Sequence, residues 1–124
     1  MKKTLLIASL AIGFAFSSCK KETTITNQLD GEVWKVVSIT EVDGNDTDIE
    51  NDPQISFTFE KEGGKATKAV SGFTWNVTWS VADDKITITD LGSQIYTVKN
   101  SGYSKQTWEQ VDGSEITTYE LEKQ

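Results

Sequence analysis

Nine consecutive residues, Phe73-Thr74-Trp75-Asn76-Val77-Thr78-Trp79-Ser80-Val81, alternate large apolar with small polar side chains without an error. Successive side chains on a strand point to opposite faces, so this run predicts a strand with one dry side and one wet side. A strand of that kind needs a sheet whose other members bury the same face. Ile55, Phe57 and Phe59 alternate with Ser56, Thr58 and Glu60; Ile86 and Ile88 with Thr87 and Thr89; Thr117, Tyr119 and Leu121 with Thr118, Glu120 and Glu122. Less regular stretches at 33–42, 66–70, 94–99 and 103–110 bring the expected strands to eight.

Short turn signals separate these runs: Gly63-Gly64, Ser71-Gly72, Asp83-Asp84, Leu91-Gly92-Ser93, Asn100-Ser101-Gly102 and Asp112-Gly113-Ser114. Turns of this length join neighbouring antiparallel strands as hairpins. No segment has the period of an amphipathic helix. Greek-key sandwiches need long crossovers, and only the polar stretch from Asp43 to Pro53 is long enough to supply one. The expected fold is therefore all-β: a small eight-stranded antiparallel up-and-down barrel, closed by pairing the first strand with the last so that no edge is exposed.

The region before this domain has a different character. Met1-Lys2-Lys3 is basic, Leu5–Phe16 is apolar, and Ser17-Ser18 precede the only cysteine of the chain, Cys19. That three-part layout predicts a secretory signal peptide over 1–18. Its apolar run is too short for a membrane-spanning helix, which takes about 20 residues. An unpaired cysteine in an exported chain is either reactive or bonded to another molecule. Phe16-Ser17-Ser18-Cys19 resembles the lipobox of bacterial lipoproteins, although that family more often has Leu at the position of Phe16 and Ala or Gly at that of Ser18.

The resemblance implies a diacylglyceryl thioether on Cys19 and an acylated, palmitate-type amino group, which together hold the protein on a membrane. Each buried methylene of such chains contributes roughly 0.8 kcal/mol, and two chains make a stable anchor. Lys20 follows the cysteine where inner-membrane lipoproteins of enteric-type bacteria carry Asp, so the resemblance also implies the outer membrane of a cell envelope. Whether the domain faces the periplasm or the cell surface stays open. Residues 19–28, with Ile25 as their single large apolar side chain, are expected to be a lipidated cysteine and a flexible tether. Residues 29–124 then form one domain. Losing Lys2 and Lys3 with the leader takes the formal net charge from −7 to −9, which argues against a nucleic acid or an anionic membrane surface as partner.

Leu29-Asp30-Gly31-Glu32-Val33-Trp34 is similar to the opening "L-x-G-x-W" of lipocalin-like lipoproteins, with two residues rather than one between Gly31 and Trp34. Phe57-Thr58-Phe59 ahead of Gly63-Gly64 and the closing Tyr119-Glu120-Leu121-Glu122-Lys123 are similar to further features of the same families. The resemblance implies a barrel that holds a small apolar ligand. The inside of an eight-stranded barrel is either filled by side chains or wide enough for one small molecule. Phe57, Phe59, Phe73, Trp75 and Trp79 fall on the dry face. They are read in two ways: as the packed core, or, for the rings nearest the open end, as the lining of a ligand pocket. Trp108 lies between polar neighbours Gln106 and Gln110, and is read as half-buried or as a surface contact.

Catalysis finds little support. The chain has no His, the commonest general base and metal ligand, and its cysteine is assigned to the anchor. No G-x-S-x-G is present, and S-x-x-K occurs only as Ser17–Lys20 and Ser18–Lys21, where the serines belong to the expected leader and would be removed from the mature chain. Zinc is disfavoured for the same reasons. Asp43, Asn45, Asp46, Asp48, Glu50 and Asp52 crowd one expected loop with hard oxygen donors, but the sixth and twelfth positions counted from Asp43 are Asp48 and Gln54, not the Gly and acid of a calcium loop. No cofactor is implied. Two function classes follow: a membrane-tethered barrel that binds a small apolar molecule, or a non-enzymatic interaction module, such as an accessory subunit or hydrolase inhibitor, that works through its outer face with a filled interior.

Overall fold

The computed structural model describes residues 22–60 and 64–124. The segment read as a signal peptide, 1–18, together with Cys19 and residues 20–21, lies outside them. Eight strands follow a helix α1 over residues 22–29: β1 (Val33–Asp43), β2 (Asp46–Phe59), β3 (Lys65–Val70), β4 (Phe73–Ala82), β5 (Lys85–Thr89), β6 (Ser93–Ser101), β7 (Lys105–Asp112) and β8 (Glu115–Lys123). Each pairs antiparallel with the next, and β1 pairs with β8 to close the barrel. The meander follows from the turns, since no link between strands is long enough to leave the neighbouring position. At the β3–β4 turn Ser71 and Gly72 both take positive φ, 51° and 89°, the backbone that two-residue hairpins favour because it matches strand twist.

Two readings of the sequence are corrected. The stretch from Asp43 to Pro53 is not a loop: Asp43 pairs with Asp46 across the two residues Gly44-Asn45, and β2 runs on through the acidic residues. Gly44, at φ 61°, supplies the conformation that this tight turn needs. Residues 22–28 are not an unstructured tether. They belong to α1, which buries Ile25, Gln28 and Leu29, the i, i+3, i+4 stripe of one helix face. Asp30 N–H still bonds to the Thr26 carbonyl at 2.8 Å, and Gly31 then takes φ 74° and ends the helix.

The barrel has two ends. The helix end holds α1, the beginning of β1 and the last residues of β2 and β8; the open end holds the β1–β2, β3–β4, β5–β6 and β7–β8 turns. One irregularity lies between them. Val36 pairs with Ile55 and Ser38 with Asn51, so Val37 alone opposes Asp52-Pro53-Gln54. Asp52 and Gln54 take positive φ, Pro53 is buried, and Lys35 reaches Asp52 at 3.1 Å. Val37 is also the extra residue against β8. One extra residue reverses which side chains face inward. Trp34 and Val36 are buried below the bulge, and Ile39 packs against the core above it.

Candidate functional site

At the helix end the inside of the barrel is filled. Trp34, Trp108, Phe59, Leu29, Ile86 and Leu121 are fully buried. Phe59 meets Trp79 edge-on at 4.9 Å between ring centroids, Phe57 lies 5.9 Å from Trp108, and Tyr96 lies 5.2 Å from Trp108. Such tilted and edge contacts add to the burial of the rings themselves. Trp108 is therefore a core residue, and the half-buried or surface reading of it is corrected. Its polar neighbour explains how: Trp108 Nε1 donates to Gln106 Oε1 at 2.8 Å, and Gln106 Nε2 donates to Gln28 Oε1 at 2.8 Å. Trp34 Nε1 donates to the Gln28 carbonyl at 3.2 Å. This buried network ties α1 to β1 and β7 and leaves no polar side-chain atom of it without a partner.

Above this plug the inward side chains change. Phe57, Lys68 and Trp75 sit side by side in register on β2, β3 and β4 and so share the inner face. The Lys68 ammonium lies 5.8 Å from the Phe57 ring centroid and 5.7 Å from that of Trp75, within cation–π range. Trp75 Nε1 donates to the Asp90 carboxylate at 2.6 Å. Ile39, Ile55, Trp75, Val81 and Tyr119 are partly buried and pack against the core; Ile39, Ile55, Trp75 and Tyr119 do so as a layer on the side of the open end, whereas Val81 lies beside the β4–β5 turn at the helix end. Tyr119 donates its hydroxyl to Gln110 at 2.7 Å, and Gln110 bonds to Gln94 at 3.0 Å. Burial pushes the Tyr119 hydroxyl up from its ordinary pKa, with Glu41 and Glu115 adding to the effect, and burial beside Tyr119 raises Tyr96 further.

The rim above that layer is acidic. Ile39 is opposed by Glu50 and Tyr119, and the same register places Glu41 opposite Asp48, Asp43 opposite Asp46 and Glu115, and Asp112 opposite Glu115. Because opposed residues share a face, all of these carboxylates stand on the inner side of the mouth. A depression of about 310 Å³ opens between Ile39, Glu41, Asp48, Ile49 and Glu50. A second recess, of about 610 Å³, lies against β3, β4 and β5 and is lined by polar residues including Glu60, Lys65, Asn76, Thr78, Thr89 and Asp90. Among the described residues, no group of three or more His, Cys, Asp or Glu is placed to hold a metal ion.

The residues singled out from the sequence thus separate by height. Phe57, Phe59 and Trp79 belong to the packed core. Trp75 is half-buried at the level of the mouth. Phe73, expected on the dry face, is 76% exposed at the open end, because β4 begins there beyond the last β5 partner, Thr89 opposite Thr78. Cys19 lies outside the described residues. Sequence reasoning missed Lys68, Ile39 and Gln106. Lys68 carries a usable signal, since it falls between Ala66 and Val70 on the alternation of β3.

No known protein-family model matches the chain, and no curated protein matches it. Solved structures do. An uncharacterized protein from Bacteroides eggerthii superimposes with a TM-score of 0.54 at 14% identity, covering 75% of this chain and 98% of the other. A lipocalin-like protein from Bacteroides uniformis superimposes with a TM-score of 0.52 at 13% identity, covering 74% of this chain and 96% of the other. At these identities the likeness is one of fold: the chain forms a lipocalin-like, closed eight-stranded antiparallel up-and-down barrel. The interior of an eight-stranded barrel is either filled by side chains or just wide enough for one small molecule.

Proposed function

We propose that the chain is a non-enzymatic lipoprotein of the cell envelope, anchored to the outer membrane through lipid on Cys19, whose barrel binds one small apolar ligand at its open end. The observation that carries the ligand half is the layer of Ile39, Ile55, Trp75 and Tyr119, apolar and only partly buried, above a filled core. Concave apolar surface with a few polar groups beside it is the usual make-up of a ligand site. Lys68, Gln110 and the Trp75–Asp90 pair supply those groups here. The ligand seat is shallow, because Trp34, Phe59 and Trp108 occupy the space below it. The anchor half rests on the layout of residues 1–19.

Titration of the full chain with the neutral apolar probe N-phenylnaphthylamine tests the ligand half. Saturable quenching of tryptophan emission is expected, with the quenched component absent from Trp75→Phe while the probe's own emission still rises. A flat titration of the parent chain would overturn the reading. Mass spectrometry of the protein purified from membranes tests the anchor: the N-terminal peptide should begin at Cys19 and carry three acyl chains' worth of added mass or, if amino acylation is incomplete, two. An unmodified thiol would remove the anchor and leave the ligand site standing.

A further inference from the structure

We infer that the outer wall of the barrel at its open end is a docking surface for a protein partner whose contacting face combines apolar side chains with lysines and arginines. It is separate from the ligand seat, because it lies on the opposite face of the same strands. Thr87 opposes Ile95, Ile116 opposes both Val111 and Val42, and Val42 opposes Thr47. Ile95 stands two residues before Thr97 and Val111 two residues after Glu109, which pair with each other, so the row continues from β6 to β7. One unbroken row of Thr, Ile and Val therefore crosses β5, β6, β7, β8, β1 and β2 with no charged member. Ile49, opposite Thr40, extends it downward.

The row is wet in this structure: Ile49 is 64% exposed, Val111 63%, Ile95 54% and Ile116 40%. Phe73 and Leu91, in or beside turns at the same end, are exposed as well. Of the large apolar side chains exposed among the described residues, only Tyr103 lies at the other end. An antiparallel sheet with a solvated face normally places polar residues there, and a contiguous exposed apolar patch marks an interaction site.

Charge decides the occupant. The mouth bordering this row carries the inward carboxylates Glu41, Asp43, Asp46, Asp48, Asp112 and Glu115, Glu109 and Glu120 stand on the outer face below the row, and Lys68, on the inner face, is the one described lysine toward the open end. Lys35, Lys65, Lys85, Lys99, Lys105 and Lys123 all sit near strand ends on the helix side. A second copy meeting this wall would bring one acidic rim against another, and an anionic lipid surface would be repelled in the same way. A partner with an apolar centre and a basic margin is complementary to both parts, the arrangement found in protein interfaces with an apolar core and polar rim.

The test uses the full chain and a synthetic peptide alternating leucine with lysine, with a leucine–glutamate peptide as control. The parent chain should bind the lysine peptide saturably, with backbone amide shifts concentrated on β7, β8 and the β1–β2 hairpin, and should ignore the glutamate peptide. A variant with Ile95→Thr, Val111→Thr and Ile116→Thr keeps β-branched residues on the strands and so preserves the sheet, and it leaves the depression beside Ile39 unchanged. It should melt as a folded protein and bind about tenfold more weakly or worse. Equal binding by parent and variant, or none by the parent, would overturn the inference. So would a concentration-dependent dimer that the variant abolishes, which would give the wall to a second copy, or binding to phosphatidylcholine vesicles that the variant abolishes, which would give it to lipid. None of these results bears on quenching by N-phenylnaphthylamine, so the two proposals fail separately.

Discussion

The two halves of the barrel use the same strands with opposite chemistry. Toward α1, β1 and β7 turn Trp34 and Trp108 inward, while Lys35 and Lys105 meet solvent and pair with Asp52 and Glu122. Toward the open end the same two strands turn Glu41 and Asp112 inward and Val42 and Val111 outward. In β1 the change is made by the bulge at Val37; in β7 it is made by composition alone, since no bulge interrupts its pairing with β8. The contrast separates two physical roles. The helix end holds the protein together, and the open end keeps surfaces that cost stability but leave something for another molecule to cover.

The largest expected effect would break this comparison if it failed. Trp108→Ala removes a fully buried ring and should destabilise the fold by about 3–5 kcal/mol, whereas Phe73→Ala at the rim should stay within about 0.5 kcal/mol of the parent. Denaturant unfolding measures both, and equal losses would mean that the open end is as structural as the floor. Next in size is the Gln28–Gln106–Trp108 network. Gln106→Leu leaves Gln28 Oε1 and Trp108 Nε1 buried without their bonds and should cost about 1–3 kcal/mol for each stranded group. Gln28→Leu combined with Gln106→Leu should recover part of that loss, seen as a non-additive double-mutant cycle.

Alkaline unfolding sharpens the boundary between the halves, where Tyr96 and Tyr119 touch at 5.3 Å. Both hydroxyls hold their protons more tightly when folded than when unfolded. The unfolded chain therefore binds fewer protons above pH about 10, so stability is intact below that value and falls as the pH rises beyond it. The melting temperature should drop over that range, and the drop should shrink in a Tyr96→Phe, Tyr119→Phe variant; an unchanged slope would place the alkaline sensitivity elsewhere. The smallest effect concerns the rim. Asp46→Asn with Asp112→Asn should reduce the gain in melting temperature that added salt gives the parent, because screening then has less repulsion to relieve. The same pair of changes made at Asp83 and Asp84 on the helix side, where Lys85 already bridges Asp84, should alter the salt response less.

The unbroken alternation at 73–81 reads directly as β4, and the short turns leave a meander few alternatives, so the barrel was legible from local pattern. α1 was not. Its buried stripe is Ile25, Gln28 and Leu29, and the middle member is a glutamine whose burial depends on Gln106, a partner 78 residues away. Apolar periodicity cannot register such a residue. Trp108 was obscured for the same reason, since the polar neighbour that hid it satisfies its indole. The acidic stretch after Asp43 resembles a loop in composition, and only its pairing with β1 makes it a strand. Of the ligand seat, Trp75 was visible in the sequence. Ile39 was not, because reading its face correctly requires knowing that Val37 is the extra residue.

The junction of β1 with β8 sets the order in which this molecule can come into being. Trp34 and Trp108 lie under the floor that those two strands complete, and Lys123 is the β8 partner of Trp34. Joining segments so far apart along the chain is entropically costly, and pairing of this kind makes for slow acquisition of structure. During synthesis the tryptophans of the floor must wait in water until β8 has been added. The ring then shuts late and in one step, so refolding followed by their emission should register as a single slow phase.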